Sequence, residues 1–262
     1  FYVSGNIRAG FNKSKSSTTS HTESAVVTTM KPADENSSIT YNNVNNITYQ
    51  GTQAQGGTFI YNNVANIQKE AVELRNRYSS ESSGFGVGVS AGIGSNGQIK
   101  SNGISGNISA NRNNRNTDET IHANGSFTNV NEVHNNTGTM TLSGFNQEGG
   151  KVTGNIGKVE VVSRQNTSTT TGSSKGMSVG VSSQGIPTSV NVNASKTNGN
   201  RAFVDNQSTF VVGEGSNLHV GTVENTGAVI GKEGNSTFKI DTYAGKDIQN
   251  YDTMTTTGGS IG

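Results

Sequence analysis

The chain has 262 residues and a net charge of +1, from 19 Lys and Arg against 18 Asp and Glu. Gly (35), Asn (35), Ser (32) and Thr (31) make up half of it, while Val and Ile number 40 and Leu only 3. Leu is a leading helix former and Val and Ile suit a pleated, half-buried surface, so a mostly helical protein is excluded and an all-β one is expected.

Absent Cys excludes disulfides, zinc–thiolate sites and thiol catalysis. No run of 18 apolar residues exists to span a membrane as a helix. The low content of large apolar residues lies near the limit of disorder. Low net charge and plentiful β-branched residues argue instead for an ordered, elongated β architecture with a thin core.

In chain order, Phe1-Tyr2-Val3-Ser4 has neither the basic nor the apolar region of a signal peptide. Residues 1–35 read as the end of a preceding repeat unit. Next come YNNVNNI (Tyr41 to Ile47) and YNNVANI (Tyr61 to Ile67), alike at six of seven positions. A short β repeat with a period of about 20 residues predicts a solenoid, in which each turn completes its core only by stacking on the next. In register, Tyr41 lies under Tyr61, Val44 under Val64 and Ile47 under Ile67. Asn43 with Asn63, and Asn46 with Asn66, form amide ladders.

A longer repeat overlies the first. SGFGVGVS (Ser83 to Ser90) parallels KGMSVGVS (Lys175 to Ser182), and NISA at Asn107 parallels NVNA at Asn191. The expected layout is one elongated segment over 1–262. It has solenoid turns at 36–67 and 127–162, Ser/Gly/Asn-rich excursions at 68–126 and 163–207, and solenoid turns with a C-terminal edge at 208–262. Period-2 alternation around Asn96-Gly97 and around Gly185-Ile186-Pro187 predicts that each excursion is an antiparallel hairpin leaving the solenoid. Gln68 to Tyr78 carries helix formers, but its counterpart in the second unit does not, and repeat equivalence favours strand.

The pattern G-x-x-x-x-G-G, then N-[IV]-x-x-[IV], then a Ser/Thr-rich run ending in VGVS resembles the haemagglutinin repeats of two-partner secreted exoproteins. These include filamentous haemagglutinin and the effectors of contact-dependent growth inhibition. A C-terminal block carries the same resemblance through Gly227, Ala228, Val229, Ile230, Asp241, Thr242, Asp247, Ile248 and Asn250. The resemblance implies a right-handed parallel β-helix, with about 20 residues per turn, in a filament on the surface of a Gram-negative cell. The partners it implies are an outer-membrane transporter, a target-cell or host surface and an outer membrane. It implies either delivery of a toxin to neighbouring cells or adhesion to host glycan or protein.

Chemistry is sparse. His21, His122, His134 and His219 share no metal-ligand spacing, and no nucleophile elbow or phosphate loop is present. A third reading, a carbohydrate-active β-helix enzyme, needs clustered carboxylates, yet no Asp recurs at the period of the short repeat; Asp241 with Asp247 is the nearest candidate. No catalytic residue, cofactor or metal is assigned. Charge that reads as balanced and spread along the chain offers no basic patch for nucleic acid.

Overall fold

The computed structural model describes residues 5–94 and 96–262; Phe1 to Ser4, read above for a leader, lie outside the described residues. The chain forms β1 (Gly5–His21), β2 (Thr29–Met30), β3 (Ser38–Asn42), β4 (Asn46–Gln50), β5 (Gln53–Gln55) and β6 (Thr58–Glu70). Two long strands follow, β7 (Val72–Ile93) and β8 (Ile99–Ala123). Then come β9 (Gly125–Thr128), β10 (Asn131–Ser143), β11 (Phe145–Glu148) and β12 (Val152–Val162), and a second long pair, β13 (Asn166–Ser182) and β14 (Pro187–Phe203). β15 (Thr209–Val212), β16 (Asn217–Thr226), β17 (Val229–Lys232) and β18 (Thr237–Lys246) lead to β19 (Tyr251–Ile261). Among the described residues there is no helix, so Gln68 to Tyr78 is strand.

Two sheets are parallel. One is ordered β18-β16-β12-β10-β6-β3, with β4 also on β6, and the other β17-β15-β11-β9-β5-β2. The chain alternates between them, as a β-helix type repeat fold requires. Tyr41 faces Tyr61, Ile47 faces Ile67 and Asn46 faces Asn66 across neighbouring strands, at the offset of the short sequence repeat. Where a long hairpin intervenes the column continues across it, so that Tyr61 faces His134 and Gly154 faces Leu218.

The core is the column between these sheets, and alternation puts it there: in β6, Phe59, Tyr61, Val64 and Ile67 point inward and are buried. The Tyr41 and Tyr61 rings stack at 5.5 Å, and Tyr61 stacks on His134 at 5.0 Å. Outside, amides form ladders. Asn62 Nδ2 donates to Asn42 Oδ1 at 2.8 Å, and Asn135 Nδ2 donates to Asn62 Oδ1 at 2.7 Å. A parallel file links Asn43, Asn63 and Asn136 at 3.3 and 3.1 Å. These three have φ of 53°, 54° and 67°, a left-handed corner that Asn tolerates better than other non-glycine residues. One residue type thus both turns the chain and joins the layers. Asn62→Ala breaks two links at once and is expected to cost about 1 kcal/mol, read as a lower urea midpoint.

The third sheet is antiparallel, ordered β1-β7-β8-β13-β14-β19. The hairpins turn at Gly97 and Gly185, with φ of 74° and 77°, closed by Gly97 N–H to the Gly94 carbonyl and Gly185 N–H to the Ser182 carbonyl, both at 3.0 Å. Three features refine the sequence reading. The hairpins pair edge to edge and with β1 and β19. The C-terminal strand β19 is the edge of this sheet. The strands β7 and β13 begin at Val72 and Asn166, so residues 68–70 stay in the parallel sheet, where Lys69 is held inside the core.

Candidate functional site

Each hairpin leaves and re-enters the coil through a buried polar clamp. At the first, Lys69 is the last inward residue of β6, and Glu132, His134 and Gln147 come from the next turn; none is more than 3% exposed. Lys69 Nζ donates to Glu132 Oε2 at 2.7 Å and to Gln147 Oε1 at 2.6 Å, and Gln147 Nε2 donates to Glu132 Oε1. Nζ also lies 4.6 Å from the centre of the Phe127 ring. Burial penalises the Glu132 charge, but the Lys69 ammonium and the His134 imidazole outweigh it and hold the carboxyl well below its usual range. Burial lowers the Lys69 pKa, against the pull of Glu132. Burial also raises the hydroxyls of Tyr49 and Tyr61, which share a contact of 3.0 Å, so both stay neutral.

At the second hairpin the clamp is made of serines. Ser208 N–H donates to Ser163 Oγ at 2.9 Å, Ser163 Oγ to the Gly227 carbonyl at 2.7 Å, and Ser208 Oγ to the Val162 carbonyl at 2.7 Å. Part of the C-terminal block lies at this exit. Ala228 N–H donates to Asn225 Oδ1 at 2.8 Å; Val229 and Ile230 lie in β17 and Thr242 faces Thr222. Gly227 has φ of 59°, and a Cβ there would strike Ile248. Asn250 Oδ1 accepts from Val204 N–H at 3.0 Å and Gln165 Nε2 at 3.1 Å, tying the loop before β19 to the base of the second hairpin. Asp247 precedes this tie in the same loop. Asp241 pairs with His219 Nε2 at 2.8 Å. Among the described residues no three His, Asp or Glu gather as a metal site.

The antiparallel sheet has two unlike faces. Register puts Phe11, Val87, Ile108, Val179 and Val190 in one transverse row. The next row toward the hairpin tips holds Ala9, Val89, Gly106, Val181 and Pro187. The next toward the coil holds Lys13, Phe85, Ala110, Met177, Val192 and Ile261. Phe11 is 62% exposed, Val89 51% and Ile261 80%. At about 3.4 Å per residue and 4.8 Å per strand, these three rows cover about 14 Å along β7 and about 24 Å across the widest of them, an apolar patch of the size that often marks an interaction surface.

The opposite face is polar and flat, with Ser14, Gly84, Asn111, Gly176, Asn193 and Ser260 in one row. A Cβ on Gly84 would lie 2.5 Å from Asn111 Oδ1, so the glycines of the SGFGVGVS segment leave room for amides reaching from the neighbouring strands. A groove of about 540 Å³ crosses this face, lined by Asn12, Ser109, Asn111, Asn191 and Asn193 among others.

The hemagglutinin repeat family model matches residues 9–177, more than half of the chain, from β1 through the first hairpin and two turns into β13. The chain belongs to the hemagglutinin repeat family. Neither the curated proteins nor the solved structures give a match. Hemagglutinin repeat proteins are structural, adhesin-type modules of secreted surface filaments, which gives this chain an extracellular setting and no catalytic expectation. The matched stretch stops before the C-terminal block of 227–250, so the family assignment stands without it.

Within this hemagglutinin repeat, the structure brings the YNNV segments together as a stacked column and ladder. Gly227, Ala228, Val229, Ile248 and Asn250 lie around the second hairpin's exit, while Asp241 and Thr242 sit farther back along β18. Sequence reasoning missed the Lys69 clamp, whose members are 63 and 78 positions apart. It also missed the apolar band. Its signal was present in the alternation of VGVS, but six strands had to be set in register to reveal it.

Proposed function

We propose that the chain is a non-enzymatic structural and delivery segment of a two-partner secreted surface filament, wound as a right-handed parallel β-helix with about 20 residues per turn. It is displayed at the outer membrane of a Gram-negative cell after export by an outer-membrane transporter. Its role is toxin delivery to neighbouring cells by contact-dependent growth inhibition. The parallel sheets form the stiff rod, and the antiparallel sheet faces the outer membrane of the target cell. The observation that carries this reading is the exposed apolar band of the sheet, a surface that a spacer does not need.

Phe11→Ser, Val89→Ser and Ile108→Ser, combined, change one exposed side chain on each of β1, β7 and β8. Association with outer-membrane vesicles is expected to weaken at least tenfold, because burying each such side chain is worth about 1.5 kcal/mol or more. In the complete exoprotein the same changes are expected to abolish toxin transfer while leaving display intact. Unchanged binding and transfer would remove the reading. A second reading, adhesion to host glycan, is favoured by the amide-lined groove on the polar face. Asn111→Ala with Asn193→Ala would then reduce host-cell binding while vesicle association stays as it was.

A further inference from the structure

The fold sorts charges that look evenly spread along the chain. The described stretches building the outer half of the antiparallel sheet are 5–20, 79–94, 96–117, 168–200 and 253–262. Together they carry eight Lys and Arg and a single acid, Glu81, whereas the remainder carries eleven against seventeen. Near the coil the sheet's cations are paired: Arg77 Nε with Asp118 at 2.8 Å, and Arg201 with Asp205 at 2.8 Å. Farther out, Glu81 is taken by Arg112. Lys13, Lys15, Lys175 and Lys196 are exposed and form no ion pair with any described residue. They share one face. Lys13 stands in the row of Phe85 and Met177, Lys15 and Lys175 in the next row toward the coil with Arg112, and Lys196 in the row after that with Glu81. Beyond them toward the tips, the rows of Phe11 and of Val89 are apolar.

We propose that these four lysines form a belt that docks on the phosphates of acidic lipid headgroups while the apolar rows beyond enter the acyl region. The proposal rests on the membrane-facing reading of the sheet and adds the chemistry of the lipid. An apolar band bounded on its coil side by unpaired cations matches an acidic membrane surface in both respects: acyl chains meet the rows of Phe11 and Val89, and phosphates meet the lysines, of which Lys13 marks the boundary in the Phe85 row. The Gly, Ser and Asn face behind, which also carries Arg8 and Arg115, remains toward water.

The test measures binding of the 262-residue chain to vesicles of phosphatidylcholine alone and of phosphatidylcholine with phosphatidylglycerol in equal parts. Each lysine near an acidic surface contributes about fivefold, so the acidic vesicles are expected to be preferred by roughly a hundredfold or more, and added salt should erode that preference. Lys13→Gln, Lys15→Gln, Lys175→Gln and Lys196→Gln together should remove the preference and keep the residual affinity for phosphatidylcholine. Equal binding to both vesicles, or a preference unmoved by salt and by the substitutions, overturns the belt and leaves the apolar contact standing. No binding of the parent chain to either vesicle overturns both. Equally tight, salt-sensitive binding to duplex DNA also overturns the lipid assignment and makes the surface a general polyanion binder.

Discussion

Lys69→Ala is expected to lower the unfolding free energy by about 3–5 kcal/mol, among the largest single-residue effects in this chain. The substitution does not merely delete a contact. It leaves Glu132, fully buried, with a charge that only Gln147 and a misaligned His134 Nε2 at 3.5 Å can still face. Replacing both ends, Lys69→Met with Glu132→Leu, should cost far less and can even stabilise, because two desolvated charges give way to packed apolar groups. Urea unfolding of the single and double variants decides it: a double variant as unstable as the single would mean that the pair itself, not the stranded charge, sets the cost.

The same clamp gives an acid response with a fixed sign. Glu132 is held below its ordinary value in the folded chain, so its contribution is fully present above the unfolded carboxyl pKa of about 4.3 and is lost as pH falls toward the folded value. In the Glu132→Gln variant that part of the acid sensitivity should vanish. Between neutral pH and pH of about 4 the parent and variant curves should run at a constant gap, and below it the parent should lose stability relative to the variant.

Much of the architecture is legible without coordinates because a solenoid writes its register into its sequence. Tyr41 and Tyr61 occupy equivalent places in nearly identical segments, so their stacking follows from the period alone. The VGVS runs likewise announce strands, since alternation of branched and small residues has no helical counterpart. What stays hidden is whatever depends on two distant segments meeting. Lys69 follows a stretch that looks solvated, and Glu132 and Gln147 look like ordinary surface residues until the strand after the hairpin is set against β6. The cationic bias of the outer sheet is hidden for the same reason, as its lysines and arginines come from three separate stretches. β19 escapes a sequence reading because its TMTTTGGSI lacks the alternation of the other long strands; its place follows from pairing with β14, and Asn250 holds it there.

Phe127→Ala should cost about 3–5 kcal/mol as well, by a different route, and its consequences should be local. Phe127 is the first large core residue after the first hairpin rejoins the coil. It is fully buried, with its ring 5.3 Å from both Phe59 and Phe145 and 5.1 Å from Tyr49. Truncation opens a cavity against the Lys69 ammonium, so the loss combines missing aromatic packing with a weakened clamp. Phe127→Leu, which keeps most of the volume, should cost much less. Because β8 ends at Ala123, just before β9 opens at Gly125, the base of the first hairpin depends on this anchor. Amide exchange in Phe127→Ala is therefore expected to speed up at Gly125–Thr128 and along the coil end of β8. The outer parts of β7 and β8, held by their own pairing and by β1 and β13, should keep their protection. Exchange that rises evenly over the whole antiparallel sheet would show that the hairpins and the coil unfold as one unit, and that Phe127 is an ordinary core residue rather than the hairpin's anchor.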